Sequence, residues 1–133
     1  MKKFFLLSLF VSLALTTLNA QDNKTQETPK NGPKITFNEL EHNYGTIQKG
    51  GDGNCEFTFT NDGNEPLILT GVRASCGCTT PTWTKESVMP GKTGTIKVRY
   101  NTNNVGSFTK TITVTSNAVN ASRSTLKIKG KVE

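Results

Sequence analysis

Two cysteines separated by one glycine are the residues of this chain whose types and spacing could carry chemistry. Cys76 and Cys78 flank Gly77 near the middle of the 133-residue sequence, and Cys55 is the third cysteine. A Cys-x-Cys pair can form a disulfide, exchange with other thiols, or bind a soft metal such as copper(I), with Met89 or His42 as a further ligand. No second cysteine or histidine pair stands at ligand spacing, so we favour a structural or passive role over thiol redox chemistry and copper(I) binding.

The residues leave the disulfide pairing open. In an extended strand, alternate side chains lie about 6.6–7 Å apart, at the upper end of the Cα separations that disulfides span. A Cys76–Cys78 bond therefore requires the backbone to fold at Gly77, and we expect such a bond to be strained and easily reduced. A bond from Cys55 to either cysteine would close a loop of about 21–23 residues and stabilise the fold by roughly 3 kcal/mol in the chain-entropy model.

The rest of the sequence contains no catalytic constellation. His42 is the single histidine, the carboxylates are scattered through turns and termini, and no glycine-rich loop leads into a predicted helix. Acid–base or nucleophilic catalysis needs such groups close together. We predict that the protein is not an enzyme and that it uses no cofactor.

Basic residues form two stripes on predicted strands. Lys127, Lys129 and Lys131 alternate along the last strand, and Lys97 and Arg99 alternate along an earlier one. These stripes are a candidate interaction face for an acidic glycan, a lipid headgroup or a protein. The plainer interpretation is a solvated sheet surface whose lysines discourage strand-to-strand aggregation.

The amino-terminal residues are typical of an exported protein. Lys2 and Lys3 precede an apolar run, and Ala20 provides a small residue at the cleavage point, so residues 1–20 are predicted to be a signal peptide. Residues 21–34 are polar and predicted to be a flexible linker. No second apolar run follows, so we predict no transmembrane segment after cleavage and a periplasmic or extracellular location. The net charge of +6 includes the two signal lysines. The mild basic excess that remains does not indicate nucleic-acid binding.

Residues 35–133 show the two-residue periodicity of β-strands. Cys55, Phe57 and Phe59 share one face of a half-buried strand, and similar alternation recurs up to Val132. Asp62-Gly63 predicts a hairpin turn and Pro90-Gly91 a type II turn, while residues 81–86 are predicted to be a loop. About seven short strands at this spacing indicate an all-β sandwich.

Several runs together resemble a large family of secreted bacterial proteins known as a domain of unknown function, common in Bacteroidetes-type bacteria. The resemblance covers residues 34–133 and rests on these runs: Asn43-Tyr44-Gly45-Thr46-Ile47, residues 57–67, residues 72–79 with Ser75-Cys76-Gly77-Cys78-Thr79, Pro90-Gly91 and residues 110–118. It implies an immunoglobulin-like fold similar to the domains of Hydin and major sperm protein. Here His42-Asn43-Tyr44-Gly45 replaces the family's usual aromatic-Asp-aromatic-Gly opening. Cys55 is not part of the family pattern, so no Cys55 disulfide is implied.

The resemblance also bears on function. The related domains are mainly interaction modules, which favours a secreted, non-catalytic binding or structural module with a protein or cell-envelope partner. The residues leave two alternatives: a periplasmic thiol-redox or copper(I)-handling protein using Cys76 and Cys78, and adhesion to acidic glycans through the lysine face.

Overall fold

Two four-stranded sheets make up the domain in the computed structural model, which describes residues 31–133. The predicted signal peptide and residues 21–30 of the predicted linker lie outside the described residues. The strands are β1 (Ile35–Phe37), β2 (Glu41–Ile47), β3 (Asn54–Asn61), β4 (Leu69–Ala74), β5 (Thr79–Trp83), β6 (Thr93–Tyr100), β7 (Gly106–Ser116) and β8 (Arg123–Val132).

The first sheet has the strand order β1-β3-β6-β5, and the second has the order β2-β8-β7-β4. Neighbouring strands are antiparallel except β2 and β8, which are parallel. The predicted all-β immunoglobulin-like sandwich is confirmed, with eight strands in place of about seven. Among residues 31–133, no helix is long and apolar enough to cross a membrane.

The core lies between the inner faces of the two sheets, as the alternation predicts. Phe57 and Phe59 of β3 are fully buried, and so are Ile96 and Val98 of the neighbouring strand β6. Removing each such side chain from water stabilises the fold by about 1.5–3 kcal/mol. Tyr100 of one sheet stacks on Phe108 of the other, with ring centroids 3.7 Å apart, so this pair ties the two sheets together.

The prediction of a loop over residues 81–86 is wrong for its first half, because β5 continues to Trp83. Thr79, Pro81 and Trp83 lie opposite Tyr100, Val98 and Ile96 of β6. Proline lacks an N–H donor and is tolerated on an edge strand, where one side of the backbone has no partner strand. β5 is such an edge, so Pro81 does not interrupt it.

The hairpin predicted at Asp62-Gly63 is also wrong. β3 pairs with β1 and β6, whereas β4 belongs to the other sheet, so the chain crosses between sheets here. The buried Asn61 side chain accepts a hydrogen bond from the Gly63 amide (2.9 Å) and donates to the Glu65 carbonyl (2.7 Å). These bonds satisfy the backbone of the connection without a hairpin ladder.

Two predicted backbone features are confirmed. The register of β2 against β8 shifts between Asn43 and Thr46, and Gly45 there has a φ of 66°, which makes the predicted bulge. Lys92 N donates to Met89 O at 2.9 Å and closes the turn predicted at Pro90-Gly91. Gly91, the third residue of this turn, has a φ of 78°, and a type II turn requires a positive φ at that position.

The domain begins a few residues before the predicted boundary at Ile35. Gly32 and Pro33 are buried. Gly32 N donates to Asn64 Oδ1 (2.8 Å), and the Asp62 and Val119 amides donate to the Lys34 and Pro33 carbonyls. Residues 32–34 of the predicted linker are therefore part of the folded unit.

Candidate functional site

The Cys76-Gly77-Cys78 run is the turn that carries the chain from β4 in one sheet to β5 in the other. Cys76 and Cys78 are joined by a disulfide, with their Cα atoms 5.3 Å apart. Thr79 N donates to Cys76 O at 3.3 Å, which closes a four-residue turn around exposed Gly77. The backbone thus folds at Gly77, which is the condition that the sequence set for a bond within the pair.

Cys55 is a free thiol and takes no part in this bond. It lies on β3 opposite Val98 of β6, whereas Cys78 precedes β5 on the far side of β6. Two strand spacings are about 9.6 Å, well beyond the Cα separation of a disulfide. Burial raises the pKa of the Cys55 thiol, and a hydrogen bond with the Tyr44 hydroxyl acts in the opposite direction. Cys55 is therefore a poor nucleophile packed at the edge of the core.

The size of the loop limits how much the Cys76–Cys78 bond stabilises the domain. Closing a loop of three residues is worth about 1.6 kcal/mol in the chain-entropy model, compared with roughly 3 kcal/mol for the longer loop that Cys55 would have closed. The buried side chains between the sheets supply most of the stability, and the bond mainly fixes the shape of the turn.

Thr79 places a buried hydroxyl beside both sulfurs. Its Oγ1 lies 3.9 Å from Cys76 Sγ and 3.8 Å from Cys78 Sγ, and the residue is only 4% exposed. Since disulfide sulfurs carry no hydrogen, the hydroxyl is the donor in these contacts. Thr79 holds this position because it is the first residue of β5 and pairs with Tyr100.

An open groove of about 960 Å³ runs past Cys78 across the outer face of the first sheet. Three connections meet at this end of the sandwich: the Cys turn, the segment before β3 and the segment after β6. The groove is lined by Gly50, Gly51, Asp52, Gly53, Asn54, Gly77, Cys78, Thr80, Thr82, Lys97, Val98, Arg99, Tyr100, Asn101, Thr102 and Asn103. We call this the Cys-end groove.

Hydrogen bonds to backbone carbonyls fix the walls of the Cys-end groove. Asn101 N donates to Cys78 O (2.8 Å), and Tyr100 N donates to Gly53 O (2.8 Å). The Thr102 hydroxyl donates to Gly51 O at 2.7 Å. The three connections are thereby bonded to one another, so the groove has a fixed shape.

The two basic stripes lie on opposite sheets and differ in their ion pairs. Lys127, Lys129 and Lys131 are on β8 of the second sheet, where Lys129 pairs with Glu41 (2.6 Å) and Lys131 with Glu133 (3.1 Å). The Lys129 ammonium lowers the pKa of the exposed Glu41 carboxyl.

Lys97 and Arg99 are on β6 of the first sheet and line the Cys-end groove. Among residues 31–133, the ion pairs are the two on the second sheet. Lys97 and Arg99 take part in neither pair, although Glu56 of β3 lies opposite Lys97 in the sheet. The five predicted interaction residues do not form one face.

The ligands named for a copper(I) site are not brought together. Met89 adjoins Val88, which bridges to Leu67 at the opposite end of the sandwich. An eight-residue strand separates the two ends by about 26 Å. His42 lies on β2, which is separated from β4 by the two strands β8 and β7 of the same sheet. Within residues 31–133, no three His, Cys, Asp or Glu side chains cluster as a metal site would need, and a disulfide offers no thiolate.

A family model described as "Protein of unknown function (DUF1573)" matches residues 35–132. The chain belongs to this family. The match spans all eight strands and ends one residue before the last residue of the sequence. It includes the Cys turn and the other connections that form the Cys-end groove. No curated protein matches the chain.

Solved structures share the fold of this DUF1573 domain. A protein of unknown function from Porphyromonas gingivalis W83 aligns with a TM-score of 0.68 and 17% identity over 82% of this chain and 51% of that one, so the chain spans about half its length. The VesB protease of Vibrio cholerae aligns at 0.63 and 17%, over 74% of this chain and 32% of the protease. The ASH/PapD-like domain 7 of human CEP192 aligns at 0.57 and 12%, over 80% and 92%. At these identities the likeness concerns the fold alone.

The sequence indicated some of this site and missed the rest. It singled out the cysteine pair, Lys97 and Arg99, and the structure brings Cys78, Lys97 and Arg99 to one groove. It did not indicate Thr79, or residues 101–103 as a wall. Alternation through Thr79, Pro81 and Trp83 was the available signal for an inward-facing Thr79, and the loop prediction for residues 81–86 concealed it.

Proposed function

We propose that this DUF1573 domain is an exported, non-catalytic binding module of the bacterial cell envelope, whose Cys-end groove receives an acidic, extended segment of a partner protein. The observation that carries the proposal is the pair Lys97 and Arg99, which lines the groove and takes part in neither ion pair found among residues 31–133. With these two cations against the single carboxylate of Asp52, the groove lining has a net positive charge, which favours an acidic ligand and speeds its association.

The form of the groove supports a protein segment as the ligand. It is open along the outer face of a sheet, and its walls are turns rich in glycine and asparagine, such as Gly50–Gly53 and Asn101–Asn103. Such walls expose backbone amides, carbonyls and side-chain amides, which hydrogen-bond the backbone of an extended chain. A rigid sandwich holding its binding groups on end connections is the usual arrangement for recognition.

A protease function receives no support from the residues, although the fold also occurs in VesB. The alignment covers about a third of that protease, and fold alone does not transfer an activity. The single histidine, His42, packs edge-on against Tyr44 with ring centroids 4.5 Å apart on β2, away from the Cys-end groove.

The proposal is tested by reversing charge on one sheet at a time. The mature protein would be added to a washed envelope fraction of its native host, and the bound fraction would be measured against protein concentration. We expect Lys97→Glu with Arg99→Glu to weaken binding at least tenfold. Added salt should weaken wild-type binding steeply, because the contact is electrostatic.

The matched control is Lys127→Glu with Lys131→Glu, which changes net charge equally on the opposite sheet. It should bind like wild type. Equal losses from both double variants would show attraction to the whole molecule and contradict a specific groove. A loss confined to the control would favour the alternative lysine face on β8.

A further inference from the structure

We propose that the Cys76–Cys78 disulfide is a thiol–disulfide exchange site, and that its substrate is the dithiol of a partner protein. This goes beyond the binding function and does not depend on it, because it rests on the geometry of the turn. Chemistry at this site would add a redox reaction to a domain that otherwise only binds.

Cys76 and Cys78 lie at the surface of the domain, and both are only partly buried. Gly77, between the two cysteines, is exposed, and a Cβ built on it would meet no heavy atom within 4 Å. Cys78 lines the Cys-end groove together with Lys97 and Arg99. Thiol–disulfide exchange proceeds by attack of a thiolate. The two cations therefore favour the attacking species on the side from which Cys78 is reached.

Thr79 supplies a group suited to the leaving sulfur. Its hydroxyl lies 3.9 Å from Cys76 Sγ and 3.8 Å from Cys78 Sγ, and it is buried. A hydrogen bond to a thiolate is stronger than one to a neutral sulfur, because the acceptor carries charge. The hydroxyl thus stabilises whichever sulfur departs, without a large movement of the backbone.

The proposed exchange has two steps. A thiolate of the partner attacks Cys78 Sγ, an S–S bond forms between the two proteins, and the Cys76–Cys78 bond breaks with its electron pair on Cys76. The Cys76 thiolate accepts a hydrogen bond from Thr79 and then takes a proton from solvent. The second thiol of the partner, having lost its proton, attacks the partner's own sulfur in the mixed disulfide and releases Cys78. The partner is oxidised to a disulfide by two electrons, and Cys76 and Cys78 are reduced to thiols.

The test measures reduction of the folded mature protein by dithiothreitol at pH 7, with alkylation and mass spectrometry to count thiols. We expect the bond to be reduced while circular dichroism stays native, and to re-form on addition of oxidised glutathione. Thr79→Val, which keeps the shape of the side chain, should slow reduction about tenfold, whereas Thr79→Ser should restore the rate. Thr36→Val, at an exposed position of β1 outside the Cys-end groove, is the control and should leave the rate unchanged.

A second measurement does not depend on whether the Thr79 variants fold. Cys76→Ser leaves the Cys78 thiol facing the groove, and Cys78→Ser leaves the Cys76 thiol. On incubation with oxidised glutathione, Cys78 in the first variant should form the mixed disulfide several-fold faster than Cys76 in the second. Reduction of wild type only at its unfolding rate, equal rates for Thr79→Val and wild type, or equal capture by the two cysteines would overturn the proposal. Loss of envelope binding alone would leave it standing, so the two proposals fail separately.

Discussion

The Tyr44 hydroxyl donates a hydrogen bond to the carbonyl oxygen of Gly53 at 2.7 Å. Tyr44 belongs to β2, the edge strand of the second sheet, and Gly53 belongs to the wall of the Cys-end groove on the first. Its ring also packs against Phe108, with centroids 5.7 Å apart. This one side chain therefore joins the edge of one sheet to the wall of the Cys-end groove on the other.

Replacing Tyr44 with Phe should destabilise the domain and remove a pH dependence. At pH 7 we expect a loss of about 1 kcal/mol, from the lost hydrogen bond to Gly53. Burial, reinforced by the nearby Cys55 thiol, raises the Tyr44 pKa in the folded state, above its value of about 10 in the unfolded chain. The stability that this shift contributes is complete below pH of about 10 and is lost as pH rises further, because the unfolded chain ionises first.

Urea unfolding of wild type and Tyr44→Phe between pH 7 and 11 measures this effect. The difference in unfolding free energy between the two proteins should shrink above pH of about 10. A difference that stays constant across the range would show that the tyrosine ionises equally in both states.

Asn61 should be among the most sensitive polar positions of the domain. It is fully buried, and its amide nitrogen donates to Glu65 O (2.7 Å) and Val88 O (2.8 Å) while its oxygen accepts from Gly63 N (2.9 Å). Asn61→Ala leaves these backbone groups without partners, at about 1–3 kcal/mol for each group that stays buried. We expect a total loss of about 3 kcal/mol in chemical denaturation.

The exposed Asn64 provides the control for Asn61. Its Oδ1 accepts one hydrogen bond, from Gly32 N at 2.8 Å, so Asn64→Ala should cost no more than about 1 kcal/mol. Similar losses at the two positions would mean that the Asn61 bonds are readily replaced by water.

Replacement by alanine should destabilise the domain at Gly94 and leave its stability nearly unchanged at Gly77. A Cβ on Gly94 would overlap the Phe59 ring, which covers it from the neighbouring strand. Gly94→Ala should therefore cost about 1–3 kcal/mol, since overpacking displaces core side chains. Gly77 has open space around a Cβ and is not among the glycines with positive φ, so Gly77→Ala should change stability little. Thermal unfolding of the two variants checks this, and a large loss at Gly77 would show that the Cys turn needs glycine for another reason.

Removal of the Cys76–Cys78 bond should cost little stability. Replacing both residues with serine should lower the unfolding free energy by about 1.6 kcal/mol, the chain-entropy value for a three-residue loop. The variant should remain folded with an unchanged m-value in urea. A loss above about 3 kcal/mol, which is the stabilisation expected of a disulfide that closes a longer loop, would show that the bond is a main structural support.

Periodicity predicted the sandwich because strands with one buried face must alternate, as Cys55, Phe57 and Phe59 do. It did not predict β5, because Pro81 and Trp83 stand among threonines that fit a loop equally well. It misplaced the connection at Asp62-Gly63, because the local turn signal does not reveal that β3 and β4 lie in different sheets.

The candidate site was only partly accessible to sequence reasoning, since its parts meet through tertiary structure. Lys97 and Arg99 were chosen for charge and spacing, yet their separation from the β8 lysines follows from sheet order. The Cys76–Cys78 bond required a turn at Gly77, which spacing alone could not fix. Thr79 gains its position beside both sulfurs from its pairing with Tyr100, 21 positions further along the chain.

Both proposed activities require an exported chain, and the exchange activity also requires the Cys76–Cys78 bond beside the groove. Intact mass and thiol counting on the protein purified from its native host compartment, without reductant, test this most directly. We predict a chain that begins after Ala20, is lighter than the fully reduced form by two hydrogens, and has one alkylatable thiol, at Cys55, after denaturation. A chain that retains residues 1–20 would contradict this prediction, and so would three free thiols that do not form the Cys76–Cys78 bond on addition of oxidised glutathione.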